Sequence, residues 1–236
     1  MAERVFLVHG WSVKDTTTYQ ALHLQLAANG FQLQEIYLGR YVSLEDEVEI
    51  RDIAKALHNA LAEELNGDWS QPFHIITHST GALVTRDWIT HYYTGNFSRH
   101  KPLKNVVFLA GPHFGSRLAH HGRSMLSHAI YFGATGKKIL NGLELGSAFA
   151  WKLAEAWLDK SNWQGKGIRF FNLIGDRVEN EIFKKVIFPA GFEEGSDMVV
   201  RAAAGNLNFK IFRINAAQNQ VSEVGRVEDI PFGALY

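Results

Sequence analysis

Phe73-His74-Ile75-Ile76-Thr77-His78-Ser79-Thr80-Gly81-Ala82-Leu83-Val84 is a strand pattern that meets a serine and becomes a helix with no loop between. Residues 73 to 77 are apolar or β-branched almost throughout, as in a strand covered on both faces. A sharp strand-to-helix turn holds the serine Oγ clear of the sheet in strained backbone geometry. So tight a turn calls for small residues two before and two after the serine. Gly81 meets that need, and Thr77 is the less comfortable of the two. A second reading makes Ser79 only the cap of a helix starting at Thr80, since serine is a favoured N-cap.

Outward from this point, short β-branched or aromatic runs alternate with helical patterns. Strands are expected at 4 to 8, 32 to 38, 73 to 77, 105 to 110, 168 to 174 and 209 to 214. Helices are expected near 17 to 28, 47 to 66, 80 to 94, 117 to 131 and 147 to 160. Between Val48 and Leu65 the helical period is clear, with Ile50, Ile53, Ala54, Leu57, Leu61 and Leu65 on one face. Alternation of this kind predicts a doubly wound α/β fold with a mostly parallel sheet. No repeat, low-complexity tract or linker interrupts it, so residues 1–236 read as one domain. Residues 116 to 165 are long for one crossover and rich in Phe, Tyr and Trp. They read either as two ordinary helices on the sheet or as a helical cap over an apolar pocket.

The first expected strand ends in Val8-His9-Gly10-Trp11. Alone, His-Gly after a strand is a turn. Beside the serine turn it suggests a site for acyl transfer, whose tetrahedral oxyanion needs preorganised N–H donors. The backbone amide of Thr80, next after the serine, is one candidate donor, and that of Trp11 is the other. Gly10 would let the backbone come close to a substrate.

Composition narrows the remaining classes. The 236 residues carry 24 basic and 24 acidic side chains, so no net charge argues for a nucleic-acid partner. There is no cysteine, which excludes disulfides, thiolate metal sites and a cysteine nucleophile. No apolar run reaches the roughly 18 residues of a membrane span, and no secretory h-region opens the chain. A cytoplasmic protein is the expectation. No metal-binding or phosphate-binding motif occurs, so neither metal nor cofactor is expected. His120-His121 would diverge on a helix and make a poor metal pair.

Four stretches resemble the α/β-hydrolases of the bacterial lipase and esterase type. They are Val8 to Trp11, Thr77 to Gly81, Val107 to Ser116 and Gly195 to Val200, and they occur in that family's order. The third is similar to the family's "TPHxGS" run, and the fourth to its "DGxV" run around the catalytic acid, with Met198 at the usual glycine. The resemblance implies Ser79 as nucleophile, an acid, and a histidine as general base. Two aspartates qualify as the acid, Asp176 at the end of a strand and Asp197 in a later loop, and the resemblance favours Asp197. The order serine, acid, histidine puts the base after residue 197, yet the last of the 11 histidines is His128. The expectation is therefore a general base beyond residue 236, with His9 and His113 as orienting or packing residues and His78 turned away from Oγ.

The expected activity is that of a serine carboxylic-ester hydrolase acting on a small acyl ester or lipid-like substrate. Thioesterase, phospholipase and acyltransferase chemistry share the same nucleophile. The competing class is a non-catalytic or impaired scaffold of the same fold that binds an apolar ligand. Neither the substrate nor the oligomeric state is legible in the sequence.

Overall fold

The computed structural model describes residues 3–10, 20–36, 38, 47–94, 100–120, 136–158, 166–176, 195–197, 199–207, 211–215 and 220–225. The chain divides into two compact units, Met1–Gly205 and Asn206–Tyr236. The first contains a five-stranded sheet of β1 (Arg4–Val8), β2 (Gln32–Ile36), β3 (Phe73–His78), β4 (Leu103–Leu109) and β5 (Arg169–Leu173). Their order is β2-β1-β3-β4-β5 and every pairing is parallel. The doubly wound α/β expectation holds.

Parallel strands need crossovers, and helices supply them. Helix α1 (Gln20–Ala28) joins β1 to β2, α2 (Ile50–Glu64) joins β2 to β3, and α3 (Gly81–His91) joins β3 to β4. On one face of the sheet Val5, Leu7 and Ile76 pack with Leu22 and Leu26 of α1. The other face carries Phe6, Phe73 and Phe108, all fully buried, beneath the apolar side of α2 and the buried helix α3. Each such side chain contributes about 1.5–3 kcal/mol by leaving water.

In the described part of the 116–165 stretch, one tryptophan reaches the aromatic residues of the sheet. After the short α4 (Arg117–His120) come α5 (Lys137–Leu143) and α6 (Ala148–Leu158). Trp157 of α6 lies 4.9 Å from Phe170 and 6.3 Å from Phe108, ring centre to ring centre. Residues 121–135 and 159–165, which bear on the cap reading, lie outside the described residues.

Three local expectations differ from the fold. The 137–143 helix was not expected, because Gly142 interrupts a run of only 7 residues; there the glycine hydrogen faces Ile50 of α2, and a Cβ would come within 2.9 Å of it. Residues 168 to 174 are apolar almost throughout, as in a strand covered on both faces. Yet Phe171 and Leu173 of β5 are each 47% exposed, because the α1 cluster extends across β2, β1, β3 and β4 and takes in no β5 residue. The last expected strand is not a sixth strand of the parallel sheet. Within the second unit, β6 (Ile211–Asn215) pairs antiparallel with β7 (Gln220–Gly225), a strand that was not expected. A short helix α7 (Ala202–Gly205) closes the first unit. Among the described residues, no helix is long and apolar enough to cross a membrane.

Because all five strands run the same way, the loops after Val8, His78, Leu109 and Leu173 emerge at one edge. β2 and β3 flank β1 on opposite sides, so the winding reverses between β1 and β3. In open α/β sheets the crevice at the carboxyl ends of the strands at such a reversal is where ligands bind.

A contrast tests this core. Leu57, fully buried on α2, should cost about 2–5 kcal/mol as Leu57→Ala. Leu24, 72% exposed on α1, should change stability by less than about 0.5 kcal/mol as Leu24→Ala. Urea denaturation of both variants measures the difference.

Candidate active site

Ser79 stands at the reversal between β1 and β3, in the left-handed region at φ 54°. For a residue with a Cβ this conformation costs on the order of 1–3 kcal/mol and persists only where the surroundings impose it. They do so here by backbone bonds: the Ser79 amide donates to Leu109 O at 3.0 Å, and Ser79 O accepts from the Ala82 amide at 2.9 Å. The next glycine closes the turn. A Cβ on Gly81 would lie 2.5 Å from Thr77 Oγ1, 2.8 Å from His9 O and 2.9 Å from Val8 O. Threonine is accommodated at 77 because residue 81 offers no side chain to meet it.

The β1 loop comes directly against the serine. A Cβ on Gly10 would sit 3.2 Å from Ser79 Cβ and 3.6 Å from Ser79 Oγ. Thr80 is buried at the N-cap of α3, where amides and the helix dipole favour negative charge. Trp11, the other candidate oxyanion donor, lies outside the described residues.

Asp197 lies in a loop brought to the end of β5, where a Cβ on Gly175 would approach its Cβ to 3.0 Å. Its Oδ1 accepts from the amides of Val199 at 2.9 Å and Val200 at 2.7 Å. Oδ2 has no hydrogen-bond partner among the described residues. One oxygen is anchored and the other is left for a further donor. Asp176 follows the same strand as an exposed residue, with no such anchoring among the described residues.

Burial pushes the His78 imidazole below its ordinary value; the nearby Asp197 carboxylate raises it and His9 lowers it further. His9 is likewise held down by burial, against an opposing effect of Glu35. Both imidazoles thus share this edge with Asp197. No imidazole among the described residues hydrogen-bonds Ser79 Oγ. Nor do three or more possible metal ligands gather anywhere among those residues.

Several solved structures share this fold. Phospholipase PlaB from Legionella pneumophila is 34% identical over 90% of this chain, with a TM-score of 0.74. The chain spans 47% of that phospholipase. The Bacillus licheniformis lipase BlEst2 in mature form matches 87% of this chain and 80% of its own length, at 18% identity and TM-score 0.63. The metagenomic carboxyl esterase MGS0156 matches 87% of this chain and 60% of its own, at 16% identity and TM-score 0.58. The chain has the α/β-hydrolase fold of the lipase and esterase type. No family model matches it, and neither does any curated protein.

Within this hydrolase fold, Arg86 and Asn172, which sequence reading did not single out, meet His113, expected as an orienting or packing residue. Arg86 of α3 is fully buried, donates to His113 O at 3.2 Å and lies over the Trp157 ring at 4.6 Å. Desolvation lowers its pKa to about 9. His113 is buried edge-on against Phe108 and within 3.3 Å of Asn172 Oδ1. Nothing local marks Arg86 or Asn172, since each acts on a loop distant in sequence. The aligned "TPHxGS" run was the one signal for His113.

Two predictions follow the local geometry. Gly81→Ala should lower stability by about 1–3 kcal/mol in denaturant titration, because backbone carbonyls of β1 oppose the methyl group. The second concerns pH. Burial, reinforced by Arg86, holds the His113 imidazole well below 6.5, so it stays neutral when folded while the unfolded chain protonates. As pH falls below 6.5 the unfolded state binds more protons, and stability declines by at most about 1.4 kcal/mol per pH unit from this group. His113→Gln should show a shallower loss between pH 6.5 and 5 than the parent protein; an unchanged slope refutes the assignment.

Proposed function

We propose that the chain is the catalytic region of a serine hydrolase acting on lipid-like carboxylic esters. The observation that carries this is the strained Ser79 at φ 54°, with the Gly10 backbone against its Oγ at the sheet's reversal point. Ser79 Oγ attacks the acyl carbonyl, an imidazole takes its proton, and the Thr80 and Trp11 amides receive the oxyanion. The alcohol leaves with a proton returned by the imidazole, and water then releases the acid from Ser79. Asp197 orients the imidazole through the carboxylate oxygen that its own loop leaves unoccupied. Support for a lipid-like substrate comes from the phospholipase that shares 34% identity across 90% of this chain.

A second reading is a binding scaffold without turnover, favoured by the lack of a hydrogen bond between Ser79 Oγ and any described imidazole. A fluorophosphonate probe and short p-nitrophenyl esters separate the two. The enzyme reading expects labelling and turnover that Ser79→Ala abolishes and Asp197→Asn slows by about 10⁴-fold. Loss of labelling in His9→Ala or His78→Ala assigns the base to that side chain. Labelling that appears only when the chain is extended by its gene's next codons places the base outside these residues. Absence of labelling and turnover in both forms leaves the scaffold.

A further inference from the structure

We propose that Asn172 is a positioning residue: its side-chain amide ties the loop carrying Asp197 to the loop carrying His113, and so sets the acid against the serine turn. This rests on the reading of Asp197 as the acid.

The acid loop is bonded both within itself and to its surroundings. Its internal bonds run from Asp197 N to Val200 O at 3.2 Å, from Ala202 N to Gly195 O at 2.8 Å and from Gly205 N to Arg201 O at 2.9 Å. Hydrogen bonds that join it to the sheet and its loops include Phe114 N to Ala204 O at 2.9 Å, Ser116 Oγ to Val199 O, and Asn172 Nδ2 to Gly205 O. Two come from the loop after β4. The third comes from β5, and the Asn172 amide also reaches back to that loop, accepting from His113 Nε2 at 3.3 Å.

The chemistry at 172 is specific. Gly205 O can only accept, so it draws the NH₂ end of the amide, and Oδ1 must then face the imidazole. His113 therefore carries its proton on Nε2. Its Nδ1 is buried without a partner among the described residues, so the ring has no competing bond to turn toward. The ring is walled by Phe108 at 4.8 Å, and a Cβ on Gly111 would come within 3.0 Å of it. Arg86 holds the carbonyl of the same residue. A fixed imidazole thus fixes the amide, and the amide fixes the end of the acid loop. Aspartate at 172 keeps the acceptor and loses the donor; leucine keeps the shape and loses both.

The test is amide hydrogen exchange on the whole chain, comparing the parent with Asn172→Leu. Exchange at Val199 and Val200, whose amides bind Asp197 Oδ1, should quicken about tenfold or more, with β1 and β3 amides unchanged. Unchanged exchange at those two amides overturns the proposal, as does a uniform rise that includes β1 and β3. Should Asn172→Leu fail to fold, Asn172→Asp carries the same expectation. This measurement needs no turnover, so it decides the tie even in a chain without esterase activity. On a p-nitrophenyl ester, Asn172→Leu should lower kcat by about ten- to a hundredfold with KM unchanged. In an Asp197→Ala background the same substitution should have no further effect, whereas multiplying losses overturn a role exerted through Asp197. Undiminished kcat in Asp197→Ala alone refutes the acid assignment, and the positioning role with it.

Discussion

The contact between Gly81 and the carbonyls of Val8 and His9 is the constraint on which the rest of this structure depends. A Cβ at that position would stand under 3 Å from both oxygens and from Thr77 Oγ1, so the first turn of α3 can lie against β1 only without one. That approach brings Gly10 against the serine, and it gives the surroundings the means to hold Ser79 at φ 54°. Strain at one residue is sustained because the backbone bonds to Leu109 and Ala82 leave it no relaxed alternative. The geometry of a strained turn and the packing of a helix onto a sheet are here one problem with one solution.

A second layer of the structure is polar and buried, and its role is alignment more than stability. Taking the Arg86 guanidinium out of water is costly, and a carbonyl bond with the Trp157 face offsets only part of that cost. The same interior holds a neutral His113, which Arg86 itself discourages from charging. An apolar replacement of such a cluster would be expected to favour stability, since unpaired polar groups gain little in a dry core. What the cluster supplies is direction. Arg86, His113 and Asn172 join α3, the loop after β4, and β5, all of which border the candidate site.

Much of the architecture could be read locally. Hydrophobic runs at 4–8 and 73–77 and the helical period near 47–66 express themselves through neighbouring residues, and each forms the element expected there. The turn at Ser79 was legible because strand, serine and glycine are contiguous. The exposed face of β5 was not, because its apolar pattern matches that of a fully covered strand and only the reach of α1 separates the two. The antiparallel pairing of β6 was equally hidden, since strand direction belongs to the partner as much as to the segment.

From sequence alone came the parallel α/β class, the serine turn and the glycine loop that faces it, all consequences of periodicity and of residues that few backbone shapes will accept. The tertiary structure decided how Asp197 is anchored, why threonine is tolerated at 77, and which half-buried amide joins the two loops. The physical reason is range. Periodicity and turn chemistry act over a few residues, whereas a carboxylate 118 positions along the chain from Ser79 is brought to the same sheet edge only by contacts that form once the sheet is assembled.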